Sequence, residues 1–272
     1  MSRRAYLIWV VPLAVVMART AYAVWLSPYE LVADEAQYWD WSRHLDWSYF
    51  EHGPGIAWVI AAATRTLGSS LWAIRLTAAI SGAATMIAVA ELTRDGSPAR
   101  RADLALGSML LLCLIPAFQL AFLLMTRDPP YLACWALAAW AGWRALRGEL
   151  EGRPSLAAWV VSACGLGAAL LFNYAAVMLV AAFAGFMWHS RRRASWSRAA
   201  VRVSVAALVA LSWIVPIIVR NVRHDGAAFS HMRGYLALPG GIWPARPAWP
   251  STRSGQRHTS AAPSASSVHR SY

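Results

Sequence analysis

Two adjacent carboxylates, Asp34 and Glu35, open a polar stretch rich in aromatic rings and are the first side chains in this sequence whose types suggest chemistry. A carboxylate next to a second carboxylate is suited to act as a base toward a hydroxyl. The pair also has a structural reading: Asp34 caps a helix running on through Leu45, with Gln37 three residues later completing a capping-box-like pair. Capping and catalysis are compatible. Four more polar clusters follow. His52 lies in Tyr49-Phe50-Glu51-His52-Gly53-Pro54-Gly55, where Gly-Pro-Gly alone would explain a turn. Asp128 lies in Thr126-Arg127-Asp128-Pro129-Pro130, Asn173 and Tyr174 stand together, and Asn221, His224 and Asp225 come near the end of the last apolar run.

The elements that must position these groups are apolar. Hydrophobic residues make up 58% of the chain, the mean hydropathy is +0.41 and charged residues reach only 14%, too little polar surface for a soluble domain of 272 residues. The formal charge of +12 comes entirely from arginine. These arginines cluster between apolar runs, as in cytoplasmic loops of membrane proteins, and no groove-reading or RNA-stacking motif accompanies them, which excludes nucleic acid as the partner. Cys113, Cys134 and Cys164 all lie inside apolar runs, where a thiol behaves as a small hydrophobe. Several of the 16 tryptophans flank those runs, where indole rings prefer the lipid headgroup zone.

The order of apolar runs and arginine clusters predicts an all-α, polytopic membrane protein with about seven spans over residues 1–232, each needing roughly 20 helical residues. Ala5 to Leu26 is the first, with Ala21-Tyr22-Ala23 leaving signal-peptide cleavage as an alternative. Arg19 is the one poorly placed charge within the spans, so it should face the protein interior or lie near the outer interface. Residues 27–70 carry six acids against two arginines and form the first extracytoplasmic loop, with Pro54 to Leu67 as a short interfacial helix. Leu71 to Thr93 returns to Arg94, Arg100 and Arg101; Asp103 to Met125 goes out with a kink at Pro116; Tyr131 to Ala145 comes back. Arginine clusters at both ends of Ser155 to His189 demand a hairpin turning near Phe172-Asn173-Tyr174, and Ala199 to Val219 crosses last. From Arg233 to Tyr272 no acid and no apolar run occurs, so that tail is expected not to fold. This topology places all five polar clusters on one side of the membrane.

The first loop also carries a resemblance. Asp34-Glu35-Ala36 through Trp39-Asp40-Trp41-Ser42-Arg43-His44-Leu45, followed by Tyr49-Phe50-Glu51-His52-Gly53-Pro54, resembles the first-loop signature of bacterial glycosyltransferases similar to protein O-mannosyltransferases and to the lipid A aminoarabinose transferase. Those enzymes share the GT-C membrane fold. Thr126-Arg127-Asp128-Pro129-Pro130 is similar to the family's second acidic turn, with Arg127 in place of a proline. Gly165-Leu166-Gly167 through Asn173-Tyr174 is similar to its Gly-rich hairpin, with Asn173 where a lysine is common. Arg220-Asn221-Val222-Arg223-His224-Asp225 is similar to its Trp-Asn-x-x-His-Asp turn, with Arg220 for the tryptophan.

The resemblance implies an inverting transfer of a sugar from a polyprenyl-phosphate donor to a protein, lipid or glycan, on the periplasmic side of a bacterial inner membrane. It makes Asp34 the base beside Glu35, and Asp128 the group that positions the acceptor or shares a divalent ion with Asp34. Arg43, His52, Asn173 and Tyr174 fall to the donor phosphate, and Asn221, His224 and Asp225 to the acceptor or to structure. Two carboxylates are too few ligands to assert a metal. Members of the family are longer, with further helices and an outer domain, so the acid-free tail reads as a truncated or out-of-frame end. The alternatives are an inactive fragment and a non-enzymatic membrane protein or transporter.

Overall fold

The computed structural model describes residues 3–28, 30–49, 53–96, 101–191 and 196–223, and every described element is helical. The expected unfolded tail, with His52, His224 and Asp225, lies outside these residues. The described residues belong to one compact unit, Met1–Gly234.

Helix α1, Arg3–Ala21, continues into a π-helical turn, Tyr22–Leu26. Two helices occupy the first loop: α2, Ala33–Arg43, and α3, Gly55–Leu67. Then come α4, Leu71–Gly96, and α5, Arg101–Leu114. The chain breaks at Ile115, because the residue before a proline is pushed out of the helical region, and α6, Pro116–Ala121, starts on that proline. Helix α7, Asp128–Leu150, opens on two prolines, which the first turn tolerates because its amides have no helical partner. Helix α8, Leu156–Leu170, ends just before the expected hairpin tip; a 3-10 turn, Tyr174–Val177, leads into α9, Met178–His189. Helix α10, Trp196–Arg223, is last.

Among the described residues three segments are long and apolar enough to cross a membrane: Tyr6–Leu26, Leu71–Gly96 and Trp196–Arg220. The apolar helices Ala102–Leu114, Leu156–Leu170 and Tyr174–His189 are shorter than the roughly 20 residues a full crossing needs. Small residues let the helices approach closely. A Cβ on Gly165 would lie 3.0 Å from backbone atoms of both Cys134 and Ala138 in α7, and one on Gly167 would lie 2.4 Å from the Trp213 ring in α10. Such small-residue contacts replace the hydrophobic drive that lipid-facing helices lack.

Arg19 turns inward: it donates to Gln119 Oε1 at 2.8 Å, lies 5.4 Å from the Phe122 ring and fills the space over Gly82. It is not the sole arginine set into an apolar helix, since Arg75 in α4 is buried as well. Helix α3 is more deeply buried than an interfacial position predicts, with Ile56 and Ile60 fully covered by Tyr38, Ile74, Met125 and Phe172.

Candidate functional site

The two ends of the helix bundle differ in chemistry. At one end the first loop lies over the tips of α4, α8 and α10 and the segment that leads into α7, and specific bonds hold it to each. Glu35, fully buried, takes Arg75 Nε on Oε1 at 3.1 Å and Arg75 Nη2 on Oε2 at 2.8 Å. The same carboxylate accepts the Met125 amide at 2.8 Å, three residues before Asp128, and the Val32 amide at 3.2 Å. Arg75 is satisfied in turn by Ser27 Oγ at 2.8 Å and the Glu30 carbonyl at 3.0 Å. A buried ion pair is tolerated only when its remaining donors and acceptors are met, and here they are.

The capping expectation is corrected by this geometry. Val32, with no side-chain oxygen, occupies the cap position, and the carboxylate reaching back to its amide is Glu35 in the third helical position. Asp34 is left exposed in the first turn of α2.

The hairpin tip docks from another direction. Gly55 N–H donates to the Leu171 carbonyl at 3.1 Å, and a Cβ on Gly53 would meet that carbonyl oxygen at 2.2 Å. Close approach, in addition to a turn, therefore explains the Gly-Pro-Gly sequence. Asn173 caps the 3-10 turn by accepting the Ala175 amide at 3.0 Å, and the Tyr174 phenol reaches the buried Ser48 hydroxyl of the first loop. The end of α10 is tied down by Arg220, whose Nη2 and Nε donate to Asp46 Oδ2 at 2.6 and 2.9 Å. Asn221 is in the last turn of α10.

Aromatic stacking stiffens the loop between these ties. Trp41 and Tyr49 stack with centroids 4.6 Å apart, and Trp47 meets Trp58 edge-on at 5.2 Å. The Tyr49 phenol oxygen is 3.0 Å from the carbonyls of both Trp41 and His44 and accepts the Asp46 amide at 3.1 Å; burial pushes its pKa up. Arg43 is exposed, its guanidinium 4.9 Å from the Trp39 ring. Asp128 is exposed in the first turn of α7, its carboxylate 4.0 Å from Arg127.

The structure thus gathers Asp34, Arg43, Asp128, Asn173, Tyr174 and Asn221 at one end of the bundle. It separates Glu35 from them by removing it from solvent. Arg75, Ser48 and Asp46 complete the framework, yet carry little local sign of it: Arg75 stands within an apolar run, where an unexplained arginine is the one available signal. Among the described residues no group of three or more His, Cys, Asp or Glu side chains could hold a metal.

Three likenesses bear on what this end does. The family model for dolichyl-phosphate-mannose-protein mannosyltransferase matches residues 51–219. Lipid A galacturonosyltransferase RgtD of Rhizobium johnstonii is 30% identical over 201 residues, covering 73% of this chain and 40% of that protein. The crystal structure of ArnT from Cupriavidus metallidurans bound to undecaprenyl phosphate superposes with a TM-score of 0.60 at 22% identity, over 84% of this chain and 43% of that one. The chain spans about two-fifths of the length of both relatives. The likeness to ArnT shows the fold, the all-helical GT-C membrane fold. Given the length of chain that the family model matches, the protein belongs to the dolichyl-phosphate-mannose-protein mannosyltransferase family.

Proposed function

We propose that this chain carries the donor-side end of a membrane glycosyltransferase that moves a sugar from a polyprenyl phosphate to an acceptor hydroxyl, with inversion, on the extracytoplasmic face of a multi-pass membrane domain of seven spans. One observation carries the reading: the Glu35 carboxylate bonds both Arg75 and the Met125 amide, fixing the start of α2 and the approach to α7 to each other and leaving Asp34 and Asp128 exposed beside them. RgtD and ArnT, named for lipid A galacturonosyl transfer and for binding undecaprenyl phosphate, support the donor class.

In this reading Asp34 draws the proton from the acceptor hydroxyl as that oxygen attacks the anomeric carbon, and the lipid phosphate leaves with the bonding electrons. Asp128 orients the acceptor. Arg43, with His52, takes up the charge that develops on the departing phosphate, and Asn173 and Tyr174 border it. Asn221, His224 and Asp225 belong to the acceptor side. Glu35 acts as a positioning residue through Arg75 and the Met125 amide. An apolar groove of about 810 Å³ between α8, α9 and α10, lined by Leu166, Leu170, Phe183 and Ile214, gives an isoprenoid tail the surface it requires.

The test is sugar transfer from a radiolabelled polyprenyl-phosphate sugar by the purified chain in liposomes. Asp34→Asn should abolish transfer while the protein still inserts and melts normally. Transfer at the wild-type rate in that variant removes Asp34 from its role, and none in the wild type removes the activity from this chain.

A further inference from the structure

The end of the bundle remote from Asp34 holds a second cavity, of about 570 Å³, between α7 and the start of α8. Three guanidinium groups line it, from Arg144, Arg147 and Arg153, against two carboxylates, from Asp95 and Glu151. The pairings inside it leave an excess of positive charge. Asp95 Oδ2 accepts the Trp140 indole N–H at 3.0 Å and lies 3.7 Å from Arg144 Nε. Arg147 bonds Glu151 and the Asp95 carbonyl. Arg153 makes no ion pair or side-chain hydrogen bond among the described residues and is exposed.

The backbone adds to that field. Helix α8 begins at the cavity wall, so the positive end of its dipole faces the same space. Ser155 Oγ caps the Ala158 amide at 3.2 Å, whereas Ala157, which also lines the cavity, belongs to the first-turn amides that no helical carbonyl reaches. A positively charged mouth with open amides is built for an anion.

The remaining walls say which kind. Trp140, Ala141, Ala158 and Val161 continue the cavity along the helices away from the arginines, and Leu156 and Val161 leave apolar surface exposed beside it. The Arg144 guanidinium lies 5.4 Å from the Trp140 ring, an arrangement that holds an indole at the boundary between charged and apolar zones. A small inorganic anion would use only the mouth. A phosphodiester with an acyl body uses both parts.

We propose that this cavity binds the headgroup of an anionic phospholipid from the leaflet at the arginine-rich end, with Arg153 and Arg144 on the phosphate and the α7 and α8 walls on the acyl chains. The site is separate from the transfer reading and stands whether or not that reading holds.

The experiment uses the full chain in neutral detergent, titrated with short-chain phosphatidylglycerol, short-chain phosphatidylcholine or inorganic phosphate. Melting is followed by tryptophan fluorescence, and retained lipid is counted by native mass spectrometry. Phosphatidylglycerol should raise the melting temperature and stay bound, with phosphatidylcholine and inorganic phosphate well behind. Each of Arg153→Gln and Arg144→Gln should weaken that lipid about fivefold, the worth of one arginine at an anionic lipid surface. Both side chains are largely exposed, so the variants should fold. Equal binding of the two lipids, an equal shift with inorganic phosphate, or undiminished retention in the Arg153→Gln, Arg144→Gln double variant would each overturn the assignment.

Discussion

The Glu35 carboxylate and the Arg75 guanidinium, forty residues apart in sequence, meet through two hydrogen bonds of 3.1 and 2.8 Å where water does not reach either side chain. Breaking one partner of such a pair leaves a buried charge uncompensated, which typically costs about 3–5 kcal/mol. Glu35→Gln and Arg75→Gln are each expected to lower thermal stability by that order and to reduce folded yield. The double variant should recover part of the loss. A cycle of melting curves in one detergent checks this, and strict additivity of the two losses would show that the pair is not coupled.

Asp34 is predicted to behave in the opposite way although it is the next residue. Its side chain is exposed and in the first turn of α2, so Asp34→Asn should change stability by no more than about 0.5 kcal/mol. If it is the proton acceptor, the same change should slow transfer about a hundredfold or more. Asp128→Asn should resemble it in both respects. A large fall in melting temperature for either variant would assign that carboxylate to structure.

Glycines separate by what surrounds them. At Gly53 an added methyl would press on the Leu171 carbonyl, which is backbone and cannot turn aside. Gly53→Ala is therefore expected to pull the hairpin tip from the first loop at a cost of about 1–3 kcal/mol. Gly107, inside α5 with nothing within 4 Å of the added carbon, should gain about 0.5–1 kcal/mol on the same substitution. Hydrogen exchange at the Gly55 amide, which bonds Leu171, reads the first effect locally.

These contrasts show which parts of the site were legible in the sequence. Arginine-rich loops stay on the untranslocated side of a membrane, so the positions of Arg144, Arg153, Arg191 and Arg198 were enough to place a hairpin tip at Asn173, where the chain does turn. Pro116 marked the break between α5 and α6 because proline acts on its own neighbours. The division of labour between Asp34 and Glu35 was not legible. Both are acids at a helix start, and what distinguishes them is a guanidinium forty residues away and an amide ninety residues away. Helical periodicity says which face a residue lies on; it does not say what another helix brings to that face. The Asp46–Arg220 tie was hidden for the same reason, at a separation of 174 residues.

That tie carries its own expectation. Arg220 stands where the resembling turn has a tryptophan, and its bond to a partly exposed Asp46 should contribute no more than about 1 kcal/mol, screened by salt. Arg220→Gln should lower the melting temperature at low ionic strength, and the difference from wild type should shrink in 1 M sodium chloride. A salt-independent loss would point to packing of the arginine stem.

At the opposite end, acidity should loosen α7 from α10. Arg202 donates to both oxygens of Glu149, at 2.7 and 2.8 Å, and the Trp159 indole donates to Oε1 at 3.1 Å. Those bonds, the Arg202 ones foremost, hold the Glu149 carboxyl below its usual pKa. A group whose pKa is depressed by folding stabilises the native state fully above its unfolded value, about 4.3 for glutamate, and loses that contribution as the pH falls through the folded value. Melting temperature measured from pH 7 down to pH 3 should therefore fall most steeply below about pH 4.3. Glu149→Gln, which keeps the shape and removes the titration, should start lower at pH 7 and flatten part of that slope. An unchanged slope in the variant would mean that other carboxylates govern the acid limb and that the α7–α10 contact rests on packing alone.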